Sequence, residues 1–241
     1  MGGRRSWVVA SVLLLLGAAT GAGAVREHWL ACRGSMLSGS VLHGYAYGAD
    51  FSDGCLDAMD RGFALVWPGG ADRWGAESLL GTTTALLLAL AWAVVVLSSR
   101  WSPWTKALAG LPALATVTAG VLSLLRGGDA LDTVFFWLLL AVDVLSVVAF
   151  VAVGVNESPP RRTMLQAAMV LCGTGAVGLF PQLADYIAMT AFSDANWDTP
   201  PGSGYPTVVA VALLAVALLV VTLVRTPTRS ASPAPLVGAS I

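Results

Sequence analysis

Charged side chains are scarce in this chain. Only 11% of its 241 residues are Asp, Glu, Lys or Arg, whereas an ordinary soluble domain carries about 25%. Hydrophobic residues make up 56%, which is more apolar surface than a soluble fold hides but which a bilayer accepts. The net charge is −1 and the chain has no basic arm, so we exclude nucleic acid as a partner and expect the lipid bilayer instead.

Residues that carry chemistry are also few. The chain has two histidines, His28 and His43, and neither lies in an apolar run, which disfavours haem. No metal-ligand spacing recurs, and the phosphate-binding, nucleophile-elbow and dinucleotide motifs are missing from the sequence. We therefore predict no cofactor, no metal and no catalytic residue. The 13 basic residues include a single lysine, Lys106, a bias that indicates a GC-rich, bacterial genome.

Apolar runs of membrane length are what the chain has in abundance. As helices rising about 1.5 Å per residue, six of them can each cross a hydrocarbon core of about 30 Å. They are residues 7–25, 79–98, 107–125, 133–154, 163–190 and 206–224. Because open strands would leave backbone groups unpaired in lipid, the predicted fold is an all-α, polytopic transmembrane helix bundle.

Basic residues indicate how this bundle is oriented. With the N-terminus inside, the inner segments hold eight of them: Arg4, Arg5, Arg100, Lys106, Arg161, Arg162, Arg225 and Arg229. Five lie in outer segments (Arg26, Arg33, Arg61, Arg73 and Arg126), and three of these lie deep in one long loop where the positive-inside rule is weak. We expect a multi-pass plasma-membrane protein with both termini cytoplasmic. Its parts are a first helix (1–25), an extracytoplasmic loop (26–78), a five-helix bundle (79–224) and a cytoplasmic tail (225–241).

The first apolar run has two interpretations. Arg4 and Arg5, the run itself and the small residues 22–24 also form the layout of a cleavable signal peptide, which would leave five spans. In favour of a retained helix, the run has the length of a span, and Gly17 and Gly21 form a GxxxG pair that suits close helix packing.

The loop 26–78 contains two of the three cysteines, Cys32 and Cys55, while Cys172 lies in a span. In an oxidising exterior the two loop cysteines can pair, and closing this loop is worth roughly 3 kcal/mol in the chain-entropy model. The alternative is two free thiols.

Residues 52–67 within the loop predict a short amphipathic helix. Ser52 is a candidate N-cap, and Pro68 with the two glycines after it would stop the helix. Leu56, Met59 and Phe63 recur at helical spacing and predict the apolar face. The opposite face would be acidic, either solvated or a site for a cation or basic partner, and comprises Asp50, Asp53, Asp57 and Asp60.

One carboxylate falls deep in the predicted hydrocarbon. Asp143 lies about ten residues into its span, so about 15 Å deep, where no cation is available to pair with it. We expect it to be protonated, to face the bundle and to bond to a neighbouring hydroxyl or carbonyl. The polar residues predicted at a similar depth are Thr116, Thr118, Ser146 and Thr174.

A second polar group is predicted at the outer end of the bundle. Asp185 and Gln182 follow Pro181, which we expect to break the helix, and Arg126 is the expected counter-ion for Asp185 or Asp132. Asp143 and Asp185 are therefore separated by about 15 Å in depth. They are either structural hydrogen-bonding residues or two stations on a proton path.

Three functional hypotheses follow. The first is an accessory subunit that binds a membrane-protein partner through the disulfide-closed outer loop. The second is a small proton-coupled carrier, resembling a permease in size, that uses Asp143. The third is an outer-face enzyme acting on lipid through Asp50, Asp53, His28 or His43.

Overall fold

The computed structural model describes residues 4–33, 51–65, 74–125, 133–156, 166, 168–170, 174–190 and 199–224. All the regular elements in these ranges are helical, which confirms the predicted all-α class. The α-helices are α1 (Arg4–His28), α2 (Asp53–Arg61), α3 (Ala76–Ser98), α4 (Pro103–Leu125), α5 (Thr133–Asn156), α6 (Leu179–Thr190) and α7 (Tyr205–Val224). Two 3-10 turns, Trp29–Cys32 and Thr174–Val177, directly follow α1 and precede α6.

Five of the helices are long and apolar enough to cross a membrane: α1, α3, α4, α5 and α7. A sixth crossing exists if Ala168–Val177 and α6 form one span, but these two pieces meet at an angle of 87°. The predicted run 163–190 is therefore broken rather than continuous. Either the span is broken near mid-length or the segment is re-entrant, and both forms bring non-helical backbone to membrane depth.

The long helices form a row with α6 joining its two ends. α1 packs between α3 and α7, α4 packs between α3 and α5, and α6 contacts both α5 and α7. A Cβ atom at Gly17 would lie 3.0 Å from Leu88 on α3, and one at Gly21 would lie 3.1 Å from Val208 on α7. Both glycines thus allow α1 to approach its neighbours, as the GxxxG spacing predicts.

Different segments of the chain contact each other at the two ends of the bundle. At one end, the Arg4 guanidinium donates to the Leu223 carbonyl 3.2 Å away, joining the start of α1 to the end of α7. At the other end, the last turn of α1 meets α2 and the first turn of α3, and Trp29 in the 3-10 turn after α1 meets the segment before α7. This arrangement agrees with alternating membrane crossings and places the described residues between α1 and α3 at a single end of the bundle.

Candidate functional site

Two groups of buried polar residues contain several of the residues predicted from the sequence, and the first lies at the interruption before α6. We call residues 174–178 the intramembrane break. Its 3-10 turn is completely enclosed by protein, with Thr174 and Val177 fully buried. Irregular backbone at membrane depth is tolerated only when protein covers it and its polar groups find partners. The break must therefore be supplied with donors and acceptors by its neighbours.

Asp143 on α5 supplies the acceptor. Its Oδ2 atom accepts hydrogen bonds from the backbone amides of Leu179, at 2.8 Å, and Phe180, at 3.1 Å. These amides belong to the first turn of α6, where no carbonyl of the helix itself is available. The side chain is 4% exposed, so it faces the bundle as predicted. The prediction of a hydroxyl or carbonyl partner is wrong, because the Asp143 carboxylate accepts from backbone amides at the positive end of a helix dipole.

Two threonines supply the donors. Thr116 Oγ1 on α4 donates to the Thr174 carbonyl at 3.3 Å, and Thr174 Oγ1 donates to the Val170 carbonyl at 3.1 Å. The equal depth predicted for Thr116 and Thr174 thus corresponds to a direct contact. Thr118 does not join them, since it is exposed and its hydroxyl bonds to the Leu114 carbonyl of its own helix. Thr118 therefore takes no part in the contacts of the break, and its predicted depth stays a prediction.

Glycine at position 178 is what brings Asp143 so close to the break. A Cβ atom there would overlap the Asp143 Oδ1 atom. Ser146 lies one turn further along α5, and its Oγ would be 3.6 Å from a Cβ at Gly175. This hydroxyl is buried and has no hydrogen-bond partner among the described residues.

Asp185 repeats the role of Asp143 one helix later. It lies on α6, is 6% exposed, and its Oδ1 accepts from the Thr207 amide at 2.9 Å in the first turn of α7. The break that Pro181 was expected to make lies earlier, at 174–178, and Pro181 occupies the first turn of α6, where proline is tolerated. Each carboxylate therefore caps the helix that follows its own.

The remaining residues predicted near Asp185 are only partly described. The Gln182 Nε2 atom is buried without a hydrogen-bond partner in the described ranges. Arg126 and Asp132 lie outside the described residues, so the predicted counter-ion stays a prediction. Asp185 obtains compensation for its charge from the start of α7.

The second polar region lies at the end of the bundle where α1 ends and α3 begins. We call Trp29–Cys32, residues 51–65 and residues 199–204 the outer cap, after the side of the membrane on which the sequence predicts the loop 26–78 to lie. Cys32 and Cys55 have their Cα atoms 4.8 Å apart and their sulfur atoms at disulfide-bonding distance. This geometry agrees with the predicted pair and ties the end of α1 to α2.

Helix α2 in the outer cap begins as predicted and ends early. Ser52 is its N-cap and accepts from the Cys55 amide at 3.3 Å. The helix stops at Gly62, whose φ of +67° favours glycine, before it reaches Pro68. The predicted stop is therefore wrong by one to two turns.

The structure confirms the predicted acidic face of α2 and corrects one residue of the predicted apolar face. Met59 is buried and Phe63 is buried just beyond the helix, but Leu56 is 40% exposed, and Cys55 and Ala58 take its place. The acidic residues face outward as expected, since Asp53, Asp57 and Asp60 are all exposed. Asp50 precedes the helix and lies outside the described residues.

His28 forms the junction between the outer cap and the helices. Its side chain is buried, with Nδ1 2.8 Å from Glu77 Oε1 on α3 and Nε2 3.0 Å from the Ala58 carbonyl on α2. The rings of Trp29 and Phe63 contact it edge-on, with centroids 4.5 Å and 5.4 Å away. Sequence reasoning missed this role, because Glu77 is 49 positions away and no local pattern links the two.

The described residues contain no group of three His, Cys, Asp or Glu side chains placed to hold a metal ion. Both nitrogens of His28 already face protein acceptors, while His43 and Cys172 lie outside the described ranges. The chain matches no family model, no curated protein and no solved structure.

Proposed function

We propose that this protein is an accessory subunit of a membrane assembly and that it binds its partner through the outer cap. The observation that carries this proposal is the acidic outward face of α2. Asp53, Asp57 and Asp60 are exposed and form no ion pair within the described part of the chain. A row of carboxylates on one helix face complements a basic segment of another protein.

Hydrogen bonds to neighbouring segments hold α2 in place beneath its acidic face. The Trp29 indole donates to the Ser203 carbonyl at 2.9 Å, the Thr199 amide donates to the Met59 carbonyl at 3.3 Å, and Ser52 Oγ donates to the Ala31 carbonyl. Together with the cysteine pair, these bonds join three separate stretches of chain. A preformed surface loses little conformational freedom when a partner binds, which favours affinity.

The two buried carboxylates inside the bundle, by contrast, already have hydrogen-bond partners. Asp143 and Asp185 each accept from the first turn of the next helix, so each has a structural role that needs no substrate. This favours the outer cap over the intramembrane break as the working surface. We place the outer cap outside the plasma membrane with both termini inside, since a cysteine pair persists in an oxidising compartment.

Charge reversal on α2 tests this proposal. The full chain, purified from its native membrane in mild detergent, should form a complex of defined stoichiometry by native mass spectrometry. Lysine at positions 53, 57 and 60 together should abolish the complex, because it turns attraction into repulsion. The matched control is Arg100→Glu, an exposed charge between α3 and α4. Loss in both variants, or in neither, would count against the outer cap.

A second candidate function is a small proton-coupled carrier. The 87° bend before α6 and the buried, unpartnered Ser146 hydroxyl in the described structure favour it, because carriers place their sites at interrupted helices. Asn at position 143 can still accept from the Leu179 and Phe180 amides but cannot exchange a proton. Asp143→Asn should therefore stop transport in a carrier while leaving an accessory subunit folded and in its complex.

We also propose that α1 is retained. The small residues 22–24 lie inside α1, and Ala24 is buried against its neighbours. Their removal with the preceding residues would take away a helix that packs on both α3 and α7. Intact mass of the membrane-extracted protein should correspond to a chain that includes α1, whereas a mass starting near Val25 would contradict retention.

A further inference from the structure

We propose that His28 and Glu77 form a proton-operated latch that holds α2 against the bundle when the His28 ring is doubly protonated. In this proposal the protonation of His28 controls how often α2 opens from the bundle, and so whether the outer cap keeps the shape that a partner would bind. It rests on the proposed function only for what the outer cap binds, since the latch itself is a property of the isolated chain.

The argument begins with the two neighbours of the ring. Nδ1 faces the Glu77 carboxylate oxygen at 2.8 Å and Nε2 faces the Ala58 carbonyl oxygen at 3.0 Å. A carboxylate and a carbonyl are both acceptors, so each contact needs a hydrogen on the ring nitrogen. A neutral imidazole donates from one nitrogen only and would turn a lone pair towards the other oxygen. The imidazolium is therefore the form that satisfies both contacts.

Burial of the ring makes the loss of either hydrogen bond costly. His28 is 4% exposed, so water cannot replace a lost partner without the outer cap opening. Glu77 is the charged side chain that faces the ring among the described residues, and its own side chain is 31% exposed. From the other elements, the ring meets the Ala58 carbonyl of α2 and the edge-on rings of Trp29 and Phe63.

The three elements that meet at His28 explain what the latch would control. The ring belongs to the last turn of α1, Glu77 to the first turn of α3, and Ala58 to the buried face of α2. Loss of one ring proton leaves either the carboxylate or the carbonyl without its donor. The contact to α2 or the contact to α3 then weakens, and α2 opens more often once that proton is lost.

Ring-nitrogen NMR tests the protonation state directly and needs no variant. The chain has two histidines, so a ¹⁵N-histidine sample in detergent gives two ring systems, and His43→Gln assigns them. At about pH 6, in a sample whose α2 amides are protected from exchange, both His28 nitrogens should carry protons, because both face acceptors. A neutral His28 ring in a sample whose α2 amides are protected from exchange would overturn the proposal.

Hydrogen exchange of the α2 amides tests the consequence. After correction for the intrinsic effect of pH, opening of α2 should increase about tenfold between pH 6 and pH 8, the size expected for losing one buried charge-assisted hydrogen bond. In Glu77→Gln, the side-chain amide can donate to a neutral Nδ1 while Nε2 still donates to Ala58, so this pH dependence should disappear. His43→Gln should retain it.

Two results of the exchange measurement would also contradict the latch: no pH dependence in the native chain, or an unchanged dependence in Glu77→Gln. Neither result involves a partner. Failure of the latch can therefore be told apart from failure of the proposed function, which is measured by complex formation in the charge-reversed α2 variant.

Discussion

The outer cap and the intramembrane break both bury polar groups, but they do so for different reasons. In the break, side chains compensate backbone groups that a continuous helix would have paired, as Asp143 does for the start of α6. In the outer cap, side chains join separate stretches of chain, as His28 does for α1, α2 and α3. The break therefore repairs an interruption, while the outer cap builds a surface.

The difference follows from what surrounds each region. Within a bilayer an unpaired amide has no water to turn to, so an interruption is tolerated only where fixed acceptors exist. At the end of the bundle, water can satisfy groups that the protein leaves unpaired. The carboxylates there are free to remain on the surface, as Asp53, Asp57 and Asp60 do.

Removing the Asp143 carboxylate should have the largest effect on stability. Asp143→Ala leaves the Leu179 and Phe180 amides without an acceptor inside the bundle. We expect a loss of roughly 3 kcal/mol in the free energy of unfolding, from two unsatisfied buried donors. Denaturation by SDS in mixed micelles, followed by circular dichroism, measures it.

Asp143→Asn is the matched control, because its side-chain oxygen still accepts from both amides. We expect a loss of about 1 kcal/mol from the missing charge at the helix start. Equal stability of Asp143→Ala and the native chain would show that α6 does not depend on this cap.

The next largest effect should come from the cysteine pair of the outer cap. Replacing Cys32 and Cys55 by serine removes the tie between α1 and α2, and we expect about 2 kcal/mol less local stability. This is below the value for a free loop because the contacts of His28 and Trp29 still hold the outer cap. Protease protection of α2 measures the change, and unchanged protection would mean that the tie is redundant.

The helices and the buried position of Asp143 could be predicted because they depend on local composition. Apolar length identifies a span, and a carboxylate at mid-span must face protein. The partners of Asp143 could not be predicted in the same way. They exist because the helix is interrupted at 174–178, and the sequence indicates this only weakly, through the glycines at 173, 175 and 178.

The outer cap shows the same limit in another form. The N-cap Ser52 and the acidic face of α2 can be predicted from residue spacing. The exposure of Leu56 cannot, because the pairing of Cys55 with Cys32 turns the face with Cys55 inward and leaves Leu56 outside it. The contact between His28 and Glu77 joins residues 49 apart and has no periodic signature. Pairings that only tertiary packing creates are therefore what pattern reasoning leaves out.

Gly178 and Gly110 differ in what surrounds them, and alanine should affect stability differently at the two positions. Gly178→Ala should cost about 1.5 kcal/mol in the free energy of unfolding, because its Cβ would displace the Asp143 carboxylate from the α6 amides. Gly110→Ala is the control, since a Cβ there meets nothing within 4 Å and alanine favours α4. We expect it to be neutral or to stabilise the protein. If both substitutions behaved alike in SDS denaturation, the fit between Asp143 and the break would not limit stability, and the break would be adaptable rather than fixed.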